Sequence, residues 1–413
     1  MATRDPLTTD SEESVRYDGW PVVAASSAGV FLTTTVFFTF AVLLKPLTEE
    51  FSWSRAAVST AFGCLTLGAA VSAPVVGQLF DRFGPAWISA PCLATVGVAF
   101  ASLSLLTPHL PHLFAVYLVI GLATTGTSAV VYSRAIASWF DRRRGAAIAM
   151  VMASAAVGSI VHPPLAAAVT RRVGWRGACL ILGGLIVFAG VPLVVRLVRE
   201  RPAALARSRA DTPGATIREA LTSRIFWILI TVVFGSTLMV NSTIVHLSAL
   251  LTDRGLTPSG AAIVVSAMGA ASLAGRLLTG WLLDRFVATR VSFALLATAA
   301  LGTFLLADAD SFAFGVLAAA LIGFGTGGEL DVVPYLLSRY FGLRSLATLY
   351  GLNWTAWGVA GAVGPILMGR AFDASGSYES VLVGFAAATI AVAMLVLVLP
   401  VYQPLQRPQP TQV

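Results

Sequence analysis

The sequence predicts an all-α membrane protein whose twelve transmembrane helices form two pseudo-symmetric six-helix bundles, and three observations carry that prediction. The first is composition. Of the 413 residues 57% are hydrophobic and only 11% charged, with a mean hydropathy of +0.82, whereas a soluble domain carries about a quarter charged residues. The second is segmentation: apolar windows of roughly 20 residues, the length that crosses a bilayer at 1.5 Å per residue, recur twelve times. The third is an internal repeat. Gly77-Gln78-Leu79-Phe80-Asp81-Arg82-Phe83-Gly84 returns 203 residues later as Gly280-Trp281-Leu282-Leu283-Asp284-Arg285-Phe286, each copy between the second and third apolar segments of a half.

Taken in order, segments near 21–44, 56–80, 86–106, 112–138, 145–169 and 174–196 make the first bundle, and 225–251, 260–283, 291–307, 312–338, 345–371 and 378–401 the second. Residues 1–20 hold five acids and two arginines with no apolar stretch, so they are expected to be a polar tail and no cleaved signal peptide. The polar stretch 197–223, with Arg199, Arg201, Arg207, Arg209 and Arg218 plus Pro202 and Pro213, reads as a linker between bundles 21–196 and 224–401, and 402–413 as a C-terminal tail. With the termini on one side, 18 of the 27 Lys and Arg residues fall on that side and seven on the other. The positive-inside bias therefore predicts a multi-pass protein of the cell membrane with both termini in the cytoplasm.

That distribution assigns the net charge of +7 to cytoplasmic loops and away from nucleic acid. Arg171, Arg172 and Arg176 form an external basic cluster that the bias does not predict. Cys64, Cys92 and Cys179 each lie within an apolar run, which speaks for small buried thiols and against a disulfide framework or a metal site. The sequence contains no Gly-x-Ser-x-Gly, Walker loop or His-Glu-x-x-His, so neither an enzyme, a cofactor nor ATP as energy source is expected. Short tails disfavour a membrane sensor, and an enzyme is less favoured still.

Charges at bilayer depth are expensive, about 2.5–3.5 kcal/mol even on the lenient insertion scale, and normally face a cavity or a partner. Arg276 is placed roughly 12 Å and Arg134 roughly 10 Å from the cytoplasmic ends of the eighth and fourth segments by helix rise. Glu329 and Asp331, on the tenth, lie roughly 15 and 12 Å from Arg339. Two cations and two anions thus share one layer. Glu329 and Asp331 are about 200° apart on a helix and cannot serve one partner; the glycines Gly325, Gly327 and Gly328 before them make local unwinding plausible. One acid is expected to pair with Arg134 across the halves while the other exchanges a proton. Arg276 is a substrate ligand or the partner of Glu329 or Asp331. Tyr132, Tyr335 and Asn353 are further hydrogen-bonding candidates for a substrate, and His162, beside Pro163-Pro164, for proton coupling.

The halves match beyond the opening motif. Trp139-Phe140 with Arg142 to Arg144 after the fourth segment answers Tyr340-Phe341 with Arg339 and Arg344 after the tenth, and Pro163 answers Pro365. With the duplicated Gly-x-x-x-Asp-Arg-Phe turn, the chain from about 20 to 401 resembles the major facilitator superfamily. The resemblance implies a major facilitator fold, a central site between the bundles, and a cytoplasmic gate in which Gly77, Asp81, Arg82, Gly280, Asp284 and Arg285 take part. Asp18-Gly19-Trp20, the run Trp139 to Ser159 and the pair Arg276/Gly280 resemble the branch of monocarboxylate and oxalate/formate transporters, which implies Arg276 as carboxylate ligand. The chain departs from that branch at Ser272 and Phe38, where animal members carry an acid and a lysine, and its eleventh segment offers Asn353, Trp354 and Trp357 but no lysine.

A single arginine suits a monoanion, because its planar fork donates two parallel hydrogen bonds to one carboxylate. The expected function is secondary active transport of a small organic anion, foremost a monocarboxylate with proton symport, by alternating access. The expected partners are that anion, protons and the lipid bilayer, with the monomer as functional unit. Proton-coupled efflux of a cationic or lipophilic compound, with Glu329 or Asp331 as cation site, is the alternative.

Overall fold

The computed structural model describes residues 19–140, 143–199, 215–283, 285–342 and 345–400. Among these residues it is helical, without an extended strand. The first half comprises α1 (Gly19–Phe51), α2 (Arg55–Phe83), α3 (Pro85–Ser102) and α4, which runs as Leu110–Thr124 and Ala129–Trp139 on either side of a 3-10 turn at Thr125–Thr127. The next run, Arg144–Leu185, is interrupted at Gly174, whose φ of 74° and ψ of 169° no helix contains. Glycine alone takes that backbone without a Cβ penalty, so it turns one run into two crossings, α5 at 144–173 and α6 at 175–197. α6 passes through a π-helical turn at Ile186–Gly190 before ending as Val191–Leu197.

A short linker helix, Ile217–Thr222, opens on a capping box between Thr216 and Glu219. The second half follows with α7 (Arg224–Asp253), α8 (Pro258–Leu283), α9 (Ala288–Ala307), α10 (Phe312–Gly327 and Glu329–Phe341), α11 (Leu346–Ser375) and α12 (Glu379–Leu397). Nine described stretches are long and apolar enough to cross a bilayer. One of them, Ala146–Leu197, has 52 residues, more than two crossings' worth, and Gly174 divides it; α10 and α11 complete the twelve.

The repeat legible in the sequence is a repeat of packing contacts. A Cβ on Gly121 of α4 would stand 2.2 Å from the Leu65 carbonyl of α2, and one on Gly323 of α10 would stand 2.0 Å from the Met268 carbonyl of α8. The two contacts are the same contact in each half. Gly327 meets the Ser272 carbonyl in the same way, so the glycines before Glu329 serve close approach of α10 to α8. The expected unwinding is confined to the single residue Gly328, itself at φ −82°, ψ −17°.

The duplicated aromatic pairs have a matching role. Trp139 donates its indole N–H to the Arg199 carbonyl at the exit of α6 (2.7 Å), and Tyr340 donates its hydroxyl to the Pro400 carbonyl at the exit of α12 (2.6 Å). The next residue in each pair holds the entry of its half: Phe140 meets Trp20 with centroids 5.0 Å apart, and Phe341 meets Phe226 at 6.3 Å. Each half is thereby closed, first helix to last, around one aromatic dipeptide.

Candidate functional site between the bundles

The halves meet along three helix pairs, α1 with α7, α2 with α11, and α5 with α8. The ion pairs between described residues of the two halves, and a cluster of hydrogen bonds beside them, lie toward the end of the molecule away from the termini. There Arg55, at the start of α2, reaches Asp253 at the end of α7 (2.6 Å), and Lys45 of α1 reaches the other oxygen of Asp253 (3.1 Å). Asp373 of α11 accepts from the backbone N–H groups of Arg55 (3.0 Å) and Ala56 (2.9 Å), capping the α2 N-terminus from the opposite half. The Arg55 guanidinium also stacks 3.7 Å over Phe372 and donates to the Tyr378 hydroxyl. Burial holds the Tyr378 phenol above its ordinary range against the pull of Arg55, so it keeps its proton. Below this layer, Ser59 of α2 and the Pro365 carbonyl of α11 both lie at the ring of His246 on α7, at 3.0 and 2.9 Å.

Midway along the helices the contacts thin to small residues. Ser266 of α8 donates to the Ile160 carbonyl of α5 (2.7 Å), and a Cβ on Gly269 would stand 2.4 Å from the Ser159 hydroxyl oxygen. On the other pair, a Cβ on Gly63 would meet Ala362 at 3.3 Å and one on Gly358 would meet Ala70 at 2.5 Å. Toward the termini the facing glycines Gly280 and Gly351 have nothing within 4 Å of a Cβ. Among the described residues the bundles therefore touch over one end and part at Gly280 and Gly351 toward the other, which opens a cleft on the side of the termini.

Arg276 sits on that cleft. It lies seven residues beyond Gly269, about 20° short of two full turns, so it shares the face of α8 that touches Ser159 of α5. Its side chain is half-buried and engaged by a neighbour. Trp354 lies one turn beyond Gly358 on α11, packs edge-on against Trp357 (5.0 Å) and Tyr350 (6.2 Å), and is half-buried. Its position one turn toward the termini from the Gly358/Ala70 contact places it at the wall of the cleft.

The remaining candidates are distributed differently. Glu329 lies inside the second bundle, where Ser236 of α7 donates to its carboxylate and Leu229, Val232, Leu295 and Leu296 surround it. That position withdraws it from the cross-half pair and from the cation site considered for it. Tyr132 is fully buried with its hydroxyl against Gly29 of α1, and Asn353 is 2% exposed and donates to the Leu349 carbonyl of its own helix (3.0 Å). Both belong to packing within a half in this conformation. Tyr335 packs on the core of the second bundle with Arg339 5.6 Å over its ring. His162 bridges to α1, its two ring nitrogens 3.3 and 3.0 Å from the hydroxyls of Thr34 and Thr35.

The side chains of Arg134, Asp331, Asp81 and Arg82, and all of Asp284, lie outside the described residues. Gly77, Asp81 and Arg82 fall within the last turns of α2, and Arg285 is exposed with its guanidinium 3.9 Å over Trp281. Gly280 of the expected gate has open space around it. The external cluster is resolved in part: Arg176 pairs with Glu50, which also accepts from the Trp175 indole (2.6 Å), and lies 4.3 Å over Trp175. Arg171 and Arg172 are exposed. Missed altogether was the latch of Lys45, Arg55, Asp253 and Asp373; its signal was two cations and two acids at predicted external helix ends, drawn from opposite halves.

Two repeat-related helical bundles that close over one end and part at the other, with a polar residue on the facing helices, define a membrane transporter built for alternating access. The comparisons place it more narrowly. The model of the Major Facilitator Superfamily matches residues 27–365 and 247–412, and the chain belongs to that superfamily. It is 28% identical over 395 residues to monocarboxylate transporter 13 of Bos taurus, covering 92% of this chain and 89% of that one. It is 27% identical over 381 residues to monocarboxylate transporter 11 of Homo sapiens, covering 88% and 79%. An uncharacterized MFS-type transporter of Escherichia coli, YhjX, is 26% identical over 312 residues, 73% of this chain and 76% of that one. Among solved structures, a D-xylose-proton symporter aligns with a TM-score of 0.75 at 14% identity, covering 92% of this chain and 98% of that one. A bacterial homolog of the human lysosomal transporter Spinster aligns at 0.70 with 17% identity, covering 91% and 94%.

Proposed function

We propose that the chain is a proton-coupled symporter of a small organic monoanion, foremost a monocarboxylate, and that Arg276 binds the carboxylate. The observation that carries this reading is the placement of Arg276 on the cleft face of α8, two turns past the contact with α5, where its guanidinium can meet a carboxylate. The relatives named monocarboxylate transporters support the substrate class. With both termini in the cytoplasm, as the charge bias indicates, the cleft opens inward and the latch of Lys45, Arg55, Asp253 and Asp373 closes the outer side.

A carboxylate leaving water for this cleft loses its hydration and regains it from the guanidinium fork; a charged hydrogen bond of this kind contributes about 1.5–3 kcal/mol. Glutamine keeps the length but not the charge. Equilibrium binding of radiolabelled lactate and pyruvate to purified protein tests the assignment: Arg276→Gln loses binding at least about tenfold, and Arg276→Lys, which keeps a point charge without the fork, falls between. Wild-type affinity in Arg276→Gln would remove Arg276 from the site. Trp354 supplies the apolar counterpart, a ring wall against which the hydrocarbon part of such an acid can rest.

A further inference from the structure

We propose that His246 is the proton sensor of the outer gate, neutral while the gate is closed, and that a proton held on its ring once the gate parts keeps the latch between the halves open. The hydrogen bonds around this ring fix its state. The Pro365 carbonyl, 2.9 Å from Nε2, can only accept, so Nε2 carries the ring proton. Nδ1 is then a lone pair, and the Tyr378 hydroxyl 3.0 Å away donates to it. The same hydroxyl oxygen accepts from Nη1 of Arg55. The chain of donors therefore runs from Arg55 to Tyr378 to His246 to Pro365, crossing from α2 to the α11–α12 turn, to α7 and to α11. The first link joins the two halves, and the other two lie within the C-terminal half beneath Arg55.

A second ring proton has no place in this arrangement. It would put an N–H on Nδ1, facing an oxygen that already receives the Arg55 N–H, and bring two cations onto one hydroxyl. The charges packed around the ring are balanced as they stand. Lys45 from α1 and Arg55 from α2 are matched by Asp253 from α7 and Asp373 from α11, while Glu50 of α1 is held by Trp175 and Arg176. Ser59 of α2, 3.0 Å from Nε2, is neutral. An imidazolium adds an uncompensated charge to a buried site, which costs more than any exposed one. A conformation that cannot hold the proton is disfavoured by acid in favour of one that can, and parting α2 and α11 from α7 opens the ring to water. Acid on the outer side thus opens the outer gate before substrate arrives. The site is outside the Arg276 layer, and the proposal does not depend on which substrate the cleft takes.

Double electron-electron resonance between labels at His109→Cys and Asp310→Cys, both exposed outer-loop positions in opposite halves, reads the gate without any substrate; Cys64, Cys92 and Cys179 are replaced beforehand. In lipid nanodiscs, lowering pH from 7.5 to 5.5 should lengthen the distance, and His246→Gln should abolish that shift. A distance insensitive to pH in the His246-containing protein, or an unchanged shift in His246→Gln, overturns the proposal. Should the variant fail to fold, 15N-histidine NMR of the parent protein decides: the Nε2–H tautomer at pH 7.5 converting to imidazolium together with the distance change supports it, and a His246 that stays neutral to pH 5.5 overturns it. Loss of carboxylate uptake in Arg276→Gln with the gate response intact, or the reverse, separates this proposal from the substrate reading.

Discussion

Arg276 and Glu329 show what a single position decides. Both were legible as charges at bilayer depth, since a helix rise and a count from the nearest loop suffice to place them. What the sequence did not contain was direction around the axis in a bundle of unknown packing. Arg276 shares the interface face of α8 with Gly269, whereas Glu329 turns into its own bundle and takes the Ser236 hydroxyl. The pair at Glu329 makes a prediction: Ser236→Ala leaves a carboxyl in apolar surroundings without its donor and should cost about 1–3 kcal/mol. Thermal unfolding in detergent should show that loss, and Ser236→Ala combined with Glu329→Met should recover most of it, because the unsatisfied group is gone. No recovery in the double variant would mean that Ser236 acts through something other than the carboxyl.

At the scale of the helix, the glycines carry the argument. α2 and α11 can lie side by side because Gly63 and Gly358 offer no side chain where Ala362 and Ala70 press against them, and the same holds for Gly269 of α8 against Ser159. A Cβ separation of 3.3 Å at Gly63 and Ala362 is close to what a disulfide spans. In a background lacking the native cysteines, Gly63→Cys with Ala362→Cys should cross-link on mild oxidation and lose transport relative to the same protein kept reduced, whereas Ala362→Cys alone should transport equally with and without the oxidant. Gly269→Leu should wedge α8 from α5 and shift the labelled outer loops toward the longer distance. The segment boundaries were legible from hydropathy to within several residues, the gap between α5 and α6 included; the left-handed backbone of Gly174 that makes this gap was not, because a positive φ at one glycine leaves no mark in composition.

For the whole molecule, the duplication seen in the sequence turned out to be a duplication of joints. Gly121 on Leu65 repeats as Gly323 on Met268, and Trp139 on Arg199 repeats as Tyr340 on Pro400. Each half is closed upon itself by the second joint, so the movement available is one half against the other about the contacts of Gly269 and Gly358. That is the mechanical requirement for alternating access. The outer latch was illegible beforehand because its four charges are far apart in the chain, with Lys45 and Arg55 near its start and Asp253 and Asp373 in the other half. The charge bias predicts the orientation that labelling reads: a membrane-impermeant maleimide applied to intact cells should modify Asp310→Cys and spare Ser223→Cys. The opposite pattern would invert the gates.

The central claim is that this cleft carries a small carboxylate with a proton and that Arg276 holds it. Uptake of radiolabelled lactate, pyruvate and a panel of other carboxylates into proteoliposomes under an inward proton gradient, wild type beside Arg276→Gln, tests both parts together. Accumulation of one acid above equilibrium by the wild type, collapsed by a protonophore and abolished in Arg276→Gln, is the predicted result. No carboxylate moving in the wild type, or equal uptake in the variant, would contradict the account.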